Sequence, residues 1–169
     1  AVGDLNNDGG LDVGTVSSAN INLLLTYGGP TALQAFGSGT PGCNGAHSLT
    51  ANQPPKINTP SFSMPCTNSP PNTPGLWLIG DAENVAGADP LGVGAIFHVD
   101  LLTSSFLYDL NATSDAAGLA TCAAPIPNKP HLVGHKFVVQ ALWAWPLSTC
   151  FNFPYGLSTS NGLAITIIP

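Results

Sequence analysis

Charge is what this chain has least of. Charged residues make up only 7% of the sequence, against roughly 25% in an average soluble protein, and arginine does not occur. The strong bases are Lys56, Lys129 and Lys136, and the formal net charge is −6. Because the basic footprint of a nucleic-acid-binding protein is missing, we exclude nucleic acid as a partner.

Long hydrophobic runs are missing as well. The mean hydropathy of +0.24 would suit a membrane protein. However, Gly, Pro, Asn or Ser interrupts every apolar run before it reaches the ~20 residues that a membrane-spanning helix needs. We therefore predict no membrane insertion, and we expect the apolar residues to fill a core or contacts with other subunits.

The chain also leaves little room for helices, because it contains 19 glycines and 16 prolines spread along its length. The residues between these breaks are β-branched, aromatic or alternating, which is typical of strands. Short strands bounded by turns predict an antiparallel β-sandwich of the jelly-roll or immunoglobulin-like kind. The predicted strands cover residues 11–17, 21–27, 75–81, 94–102, 104–110, 117–125, 135–145 and 162–168.

The pattern divides the chain into three parts. Residues 1–36 are predicted to be an N-terminal calcium-loop hairpin segment, and residues 75–169 the sandwich core. Between them, residues 37–74 are rich in Pro, Ser, Thr and Asn, which favours extended coil of polyproline character rather than sheet. We expect this part to be a long ordered loop held to the surface by a disulfide.

Four widely spaced cysteines without a C-x-x-C motif favour disulfides in an extracellular setting over zinc or thioredoxin-like chemistry. Of the three possible pairings, we favour Cys43 with Cys66 and Cys122 with Cys150, since each bond then closes a loop within one part of the chain. Buried free thiols are the alternative.

The stretch "DLNNDGGLD" near the N-terminus concentrates carboxylates in a chain that otherwise avoids them. Asp4, Asn6 and Asp8 occupy alternate positions of a tight loop, Gly10 offers a backbone carbonyl, and Asp12 completes an oxygen shell suited to calcium. Without a cation, two carboxylates about 4 Å apart repel each other by ~4 kcal/mol at an effective dielectric constant of ~20. The loop is not an EF-hand, because Thr15 stands where the bidentate Glu would be. The alternative is an Asx-rich turn that binds nothing.

Residues 1–28, "AVGDLNNDGGLDVGTVSSANINLLLTYG", resemble one repeat of the FG-GAP or VCBS type, the calcium-binding blade unit of integrin-like propellers. The family's metal ligands fall on Asp4, Asn6, Asp8, Gly10 and Asp12, which implies calcium as the bound ion. One repeat cannot form a propeller.

The remainder of the chain resembles the C-terminal module of large secreted bacterial repeat proteins. The likeness rests on "FGSGTPGCNG", "PIPNKPHLVGHKFVVQALW" and "SNGLAITI". It implies a secreted location and a sandwich architecture rather than a particular chemistry.

No motif predicts an enzyme, because the chain has no G-x-S-x-G elbow. The acidic residues Asp81, Glu83 and Asp89 are interpreted as loop residues, and His131 and His135 as surface or turn histidines.

Two further features bear on partners. Trp143 and Trp145 alternate along a strand, so one of them is predicted to be exposed for an interface or for stacking on a glycan. Asn111 opens the sequon N-A-T and is a possible glycosylation site.

Together, these features predict a non-enzymatic, secreted, calcium-binding structural protein that assembles with copies of itself into an extracellular fibre or surface layer. A lone blade repeat leaves strand edges unpaired, so strand addition is the expected mode of assembly. The alternative is a carbohydrate-binding or adhesive module of a cell-surface protein, which would bind glycans through exposed aromatic rings.

Overall fold

The computed structural model describes residues 32–145 and 156–169 completely, together with the backbone of three short strands before them. The chain divides into two compact units, Ala1–Ala32 and Leu33–Pro169. In the first unit, β1 (Val2–Gly3), β2 (Asp12–Val16) and β3 (Ile21–Leu24) form an antiparallel sheet in the order β1-β2-β3.

The second unit contains eleven strands among the described residues. They are β4 (Leu33–Phe36), β5 (Ser48–Leu49), β6 (Ser63–Thr67), β7 (Pro74–Gly80), β8 (Glu83–Ala88), β9 (Phe97–Val99), β10 (Leu107–Thr113), β11 (Ala120–Ala123), β12 (Lys136–Ala144), β13 (Leu157–Thr159) and β14 (Gly162–Thr166).

These strands form an all-β antiparallel sandwich, as the sequence predicts. The main sheet has the order β10-β7-β12-β14-β4, with β13 also paired to β12. A cover sheet of order β11-β6-β5 packs against one face of the main sheet, and the β8–β9 pair contacts the other face. The 3-10 turn Pro130–Leu132 is three residues long, and no helix in the described part of the chain is long and apolar enough to cross a membrane.

The core between the main sheet and the cover sheet is built around two tryptophans. Trp77 in β7 and Trp143 in β12 meet edge to face, with their ring centroids 5.3 Å apart, a favoured aromatic geometry. A Cβ on Gly75 would lie 2.3 Å from the ring of Trp143, so only glycine allows this contact. Leu49 and Met64 of the cover sheet complete the cluster, and each large side chain buried here contributes roughly 1.5–3 kcal/mol.

Part of the proline-rich segment differs from the sequence interpretation, because two stretches predicted as coil form β5 and β6. In β6 the residues alternate, and Met64 and Cys66 point into the core. Pro65 accepts a hydrogen bond from the backbone N–H of Thr50 just beyond the end of β5. Pro65 has no N–H to return to the carbonyl of Thr50, but Thr50 lies outside β5, so this gap in the ladder falls beyond the end of that strand.

Strand β12 is buried on both faces, and its pairing partner changes halfway along. It pairs with β14 through Lys136–Val139 and with β13 through Leu142–Ala144. Between these ladders, two residues of β12 face three residues of the opposite chain, which makes a bulge. Ser160 bridges the bulge, since its hydroxyl accepts a hydrogen bond from the N–H of Ala141.

The side chain of Gln140 connects the bulge to β9, which packs on the second face of the main sheet. Its carbonyl oxygen accepts from the N–H of His98 at 2.7 Å, and its amide nitrogen donates to the carbonyls of Ile96 at 3.0 Å and Ser160 at 2.7 Å. The side chain is fully buried, so one amide satisfies three backbone groups that water cannot reach.

We expect Gln140→Leu to lower the free energy of unfolding by at least about 2 kcal/mol, because it removes the hydrogen-bond partner of the buried N–H of His98 and that of the carbonyl of Ser160. Chemical denaturation measures the change. Gln34→Leu is the matched control, since Gln34 is exposed on β4, and it should shift stability by less than about 0.5 kcal/mol. Equal effects of the two substitutions would contradict the role given to Gln140.

Candidate functional site

The predicted calcium ligands fall mainly on residues that the structure does not describe. Asp4, Asn6, Asp8 and Gly10 lie outside the described residues, and Asp12 is the first residue of β2, with its backbone opposite Gly3. Within the described residues there is no group of three or more His, Cys, Asp or Glu side chains that could hold a metal. Calcium binding by the N-terminal loop stays a prediction.

Both favoured disulfide pairings are wrong. Cys66 in β6 and Cys122 in β11 are free thiols buried in the core, and each pairing needs one of them. Cys43 is disulfide-bonded, and Cys150 lies outside the described residues. The pairings failed because spacing along the chain does not reveal that β6 and β11 are core strands whose cysteines point inward.

We expect Cys66 and Cys122 to resist alkylation in the folded protein. Burial raises the pKa of Cys66 to about 11 and also raises the pKa of Cys122, so little reactive thiolate forms at pH 8. Iodoacetamide labelling followed by peptide mass spectrometry should find both residues unmodified before denaturation and modified after it. Recovery of either cysteine in a disulfide-linked peptide would contradict this assignment.

The two alternating tryptophans are both buried, so the prediction that one of them is exposed is wrong. Trp143 is 1% exposed and Trp145 is 6% exposed. Trp145 follows β12 and stacks on His47, and its indole N–H donates to the hydroxyl of Ser158 at 2.6 Å. Neither ring is available to stack on a sugar, so the glycan-binding alternative loses the side chains on which it depended.

The acidic residues of the 81–89 segment make local structural contacts. Asp81 accepts hydrogen bonds from the N–H and hydroxyl of Ser105, and the Ser105 hydroxyl is the main cause that lowers the pKa of Asp81. Glu83 pairs with Lys136 at 2.8 Å. Asp89 accepts from backbone N–H groups in the loop that follows it. Asp81 and Asp89 lie in loops, as the sequence predicts, whereas Glu83 is the first residue of β8, so its interpretation as a loop residue is wrong.

His47 and Ser158 form a pair that the sequence did not single out. His47 Nε2 lies 2.6 Å from the hydroxyl oxygen of Ser158, the combination used in nucleophilic catalysis. Ser158 is fully buried, however, and its oxygen also accepts the Trp145 indole N–H. Because a substrate cannot reach this oxygen, the pair serves to connect residue 47 to β13 inside the sandwich.

The buried imidazole makes stability depend on pH. Burial is the main cause that lowers the pKa of His47 below its ordinary value of 6.5. The unfolded chain therefore binds the proton more readily than the folded chain. The stabilisation of the folded state by neutral His47 is complete above pH 6.5, and it is lost as the pH falls through 6.5 toward the lower pKa of the folded protein. We expect the unfolding free energy of the wild type to fall in this range. His47→Gln should flatten the slope, whereas His131→Gln, at an exposed histidine, should leave it unchanged.

If His47→Gln and the wild type show the same dependence of unfolding free energy on pH between 7 and 5, another group controls that dependence and the assignment to His47 is incorrect.

An apolar cavity of about 390 Å³ opens to solvent between the main sheet and the cover sheet. The main sheet contributes one side chain or more from β7, β10, β12 and β14, including Ile79, Leu110 and Val139. The opposite wall comes from Phe62 and Met64 at the start of β6 and from the segment Ala124–Pro127 after β11. The cavity therefore lies where the cover sheet ends and the main sheet continues.

The mouth of the cavity is aromatic. Phe106 and Tyr108 border it and are 40% and 61% exposed. Phe106 also packs edge to face on Phe137, with ring centroids 6.2 Å apart. The next residue after Phe106, Leu107, begins β10, so the mouth lies beside the edge strand of the main sheet.

Strand β10 leaves one of its sides without a partner among the described residues, because it pairs only with β7. Tyr108, Leu110 and Ala112 point toward the cover sheet, while Leu107 and Asn111 belong to the alternate, exposed set. The predicted glycosylation site Asn111 is therefore accessible in this strand, and its modification stays a prediction.

Part of this site was visible in the sequence. The alternation of "SSFLYDL" predicted a strand at 104–110, and the structure has β10 at Leu107–Thr113. The opposite wall was missed, because residues 62–64 belong to a segment predicted as coil and only tertiary packing brings them to β10.

Comparison with known proteins found no match for this chain among family models, curated proteins or solved structures.

Proposed function

We propose that this chain is a non-enzymatic structural protein that assembles with copies of itself, by strand addition, into an extracellular fibre or surface layer. The observation that carries the proposal is the open edge of β10. Seven residues of this strand pair with β7 on one side only among the described residues. Unpaired backbone groups along such an edge are a template for a further strand.

The other end of the main sheet supports open-ended growth. There, β4 pairs with β14 and is the last strand of the described order. A sheet with two open edges can accept a neighbouring copy at each edge. When one edge of a copy contacts the other edge of the next copy, the assembly propagates and does not close into a dimer. The short β4 and the longer β10 are such different surfaces.

Side-chain chemistry favours the same assembly. Large apolar side chains are exposed at the β10 edge, with Leu107 46% exposed and Tyr108 61% exposed, and Asp109 is the one charged residue in this strand. In a chain of which only 7% is charged, little repulsion separates the copies. The N-terminal unit, whose loop we expect to bind calcium, is the proposed connector that supplies the added strand.

The alternative function, a carbohydrate-binding or adhesive module, has less support. Its candidate residues Trp143 and Trp145 are buried, and the exposed aromatic ring at Tyr108 lies at the mouth of an apolar cavity instead of on a flat polar surface.

We expect the full chain to form polymers in millimolar calcium, and Leu107→Lys to reduce them strongly, because the new charge would have to be buried beside the added strand. Sedimentation velocity and negative-stain electron microscopy measure the assembly. Leu102→Lys is the matched control, since Leu102 is 82% exposed but lies outside β10, and it should polymerise like the wild type. Repeating the measurement with a chelator tests separately whether calcium is needed for the N-terminal unit to act as the connector.

A wild-type chain that stays monomeric at high concentration in millimolar calcium would refute the proposal. Equal polymerisation of Leu107→Lys and the wild type would exclude β10 as the assembly edge.

A further inference from the structure

We infer that the cavity between the two layers is a binding site for an uncharged apolar molecule, such as a hydrocarbon chain or a fused aromatic ring. This inference is independent of the proposed assembly, since it rests on the lining of the cavity and not on the edge of β10.

The lining offers almost no polar group. Fifteen residues form it, and all have apolar or aromatic side chains. Among them only Tyr108 carries a hydroxyl, and Tyr108 stands at the exposed mouth. A ligand inside would make dispersion contacts and lose its water, but it would find no partner for a charge. A buried charge without a partner is costly, so the cavity selects against ions.

No charged side chain is among the residues that line the cavity. Lys136, the neighbour of the lining residue Phe137 in the sequence, is paired with Glu83 at 2.8 Å. The absence of a charge in the lining favours a neutral ligand over an acid or a base.

The size and exposure of the cavity also suit a small molecule. Its volume of about 390 Å³ falls within the roughly 300–1,000 Å³ typical of ligand pockets. It is open to solvent past Phe106 and Tyr108, so a ligand can enter without unfolding the sandwich. The inner wall, which includes Met64 and Val139, is buried core at 1% exposure for each residue.

Two dyes with the same ring system test the inference on the full chain: N-phenyl-1-naphthylamine, which is uncharged, and its sulfonate, 1-anilinonaphthalene-8-sulfonate. Fluorescence titration should show one saturable site per chain for the uncharged dye and at least about tenfold weaker binding of the sulfonate, because the site cannot solvate a charge. Ala124→Phe places a ring in the lining and should weaken binding of the uncharged dye by at least about tenfold.

Ala123→Phe is the matched control. Ala123 is the exposed neighbour of Ala124 at the end of β11 and does not line the cavity, so this variant should bind like the wild type. Thermal denaturation of both variants shows whether each is folded at the titration temperature.

Three results would overturn the inference. Absence of saturable binding would mean that the cavity is already filled by the chain itself. Equal affinity for the two dyes, or unchanged affinity in a folded Ala124→Phe, would place the dye on the surface. In the Leu107→Lys variant, whose polymerisation is expected to be reduced, occupancy per chain that falls as the protein concentration rises would identify a second copy as the occupant. Failure to polymerise affects none of these readings.

Discussion

The double burial of β12 is the constraint on which the sandwich depends. One face of this strand places Trp143 against Trp77 in the core, and the other face meets β9 through the amide of Gln140. Water cannot reach the backbone groups of a strand covered on both faces, so these groups need partners within the protein. Gln140 and Ser160 satisfy this requirement at the one point where the ladder is broken, and the main sheet can therefore support a layer on each side.

The apolar cavity and the free edge of β10 both follow from the unequal sizes of the main sheet and the cover sheet. The main sheet places five strands side by side, whereas the cover sheet has three. Three strands cannot shield the whole face, and the uncovered part lies beside β10, where Phe106 and Tyr108 stay exposed. The same mismatch produces both the apolar cavity and the free sheet edge. The chain has few charges with which to protect such an edge, and this is the basis of the proposed assembly.

Cysteine and proline show where local reasoning about the sequence stops. Cys66 resembles a loop cysteine because prolines surround it, yet it is fully buried in β6. Pro65 argues against a strand, yet it lies opposite Thr50, so the N–H that it lacks leaves a gap only beyond the end of β5. In both cases the deciding fact is which neighbour stands on each side of the strand, and that is a property of long-range pairing. The burial of Trp145 has the same origin, because this ring contacts His47 and Ser158, which are distant in the sequence.

The sequence by itself determined the all-β class, most strands of the main sheet and the cavity-facing alternation of β10. These properties are local, since spacing of two residues, β-branched side chains and turn residues act within a few positions of one another. The tertiary structure alone decided that the proline-rich segment supplies two of the three strands of the cover sheet, that two cysteines stay free and that an apolar cavity opens beside β10. These depend on contacts between residues such as Phe62 and Tyr108, 46 positions apart in the printed sequence, which both line the cavity. No pattern in either segment specifies its distant partner, because packing selects the partner by shape and burial only once the sheets have formed.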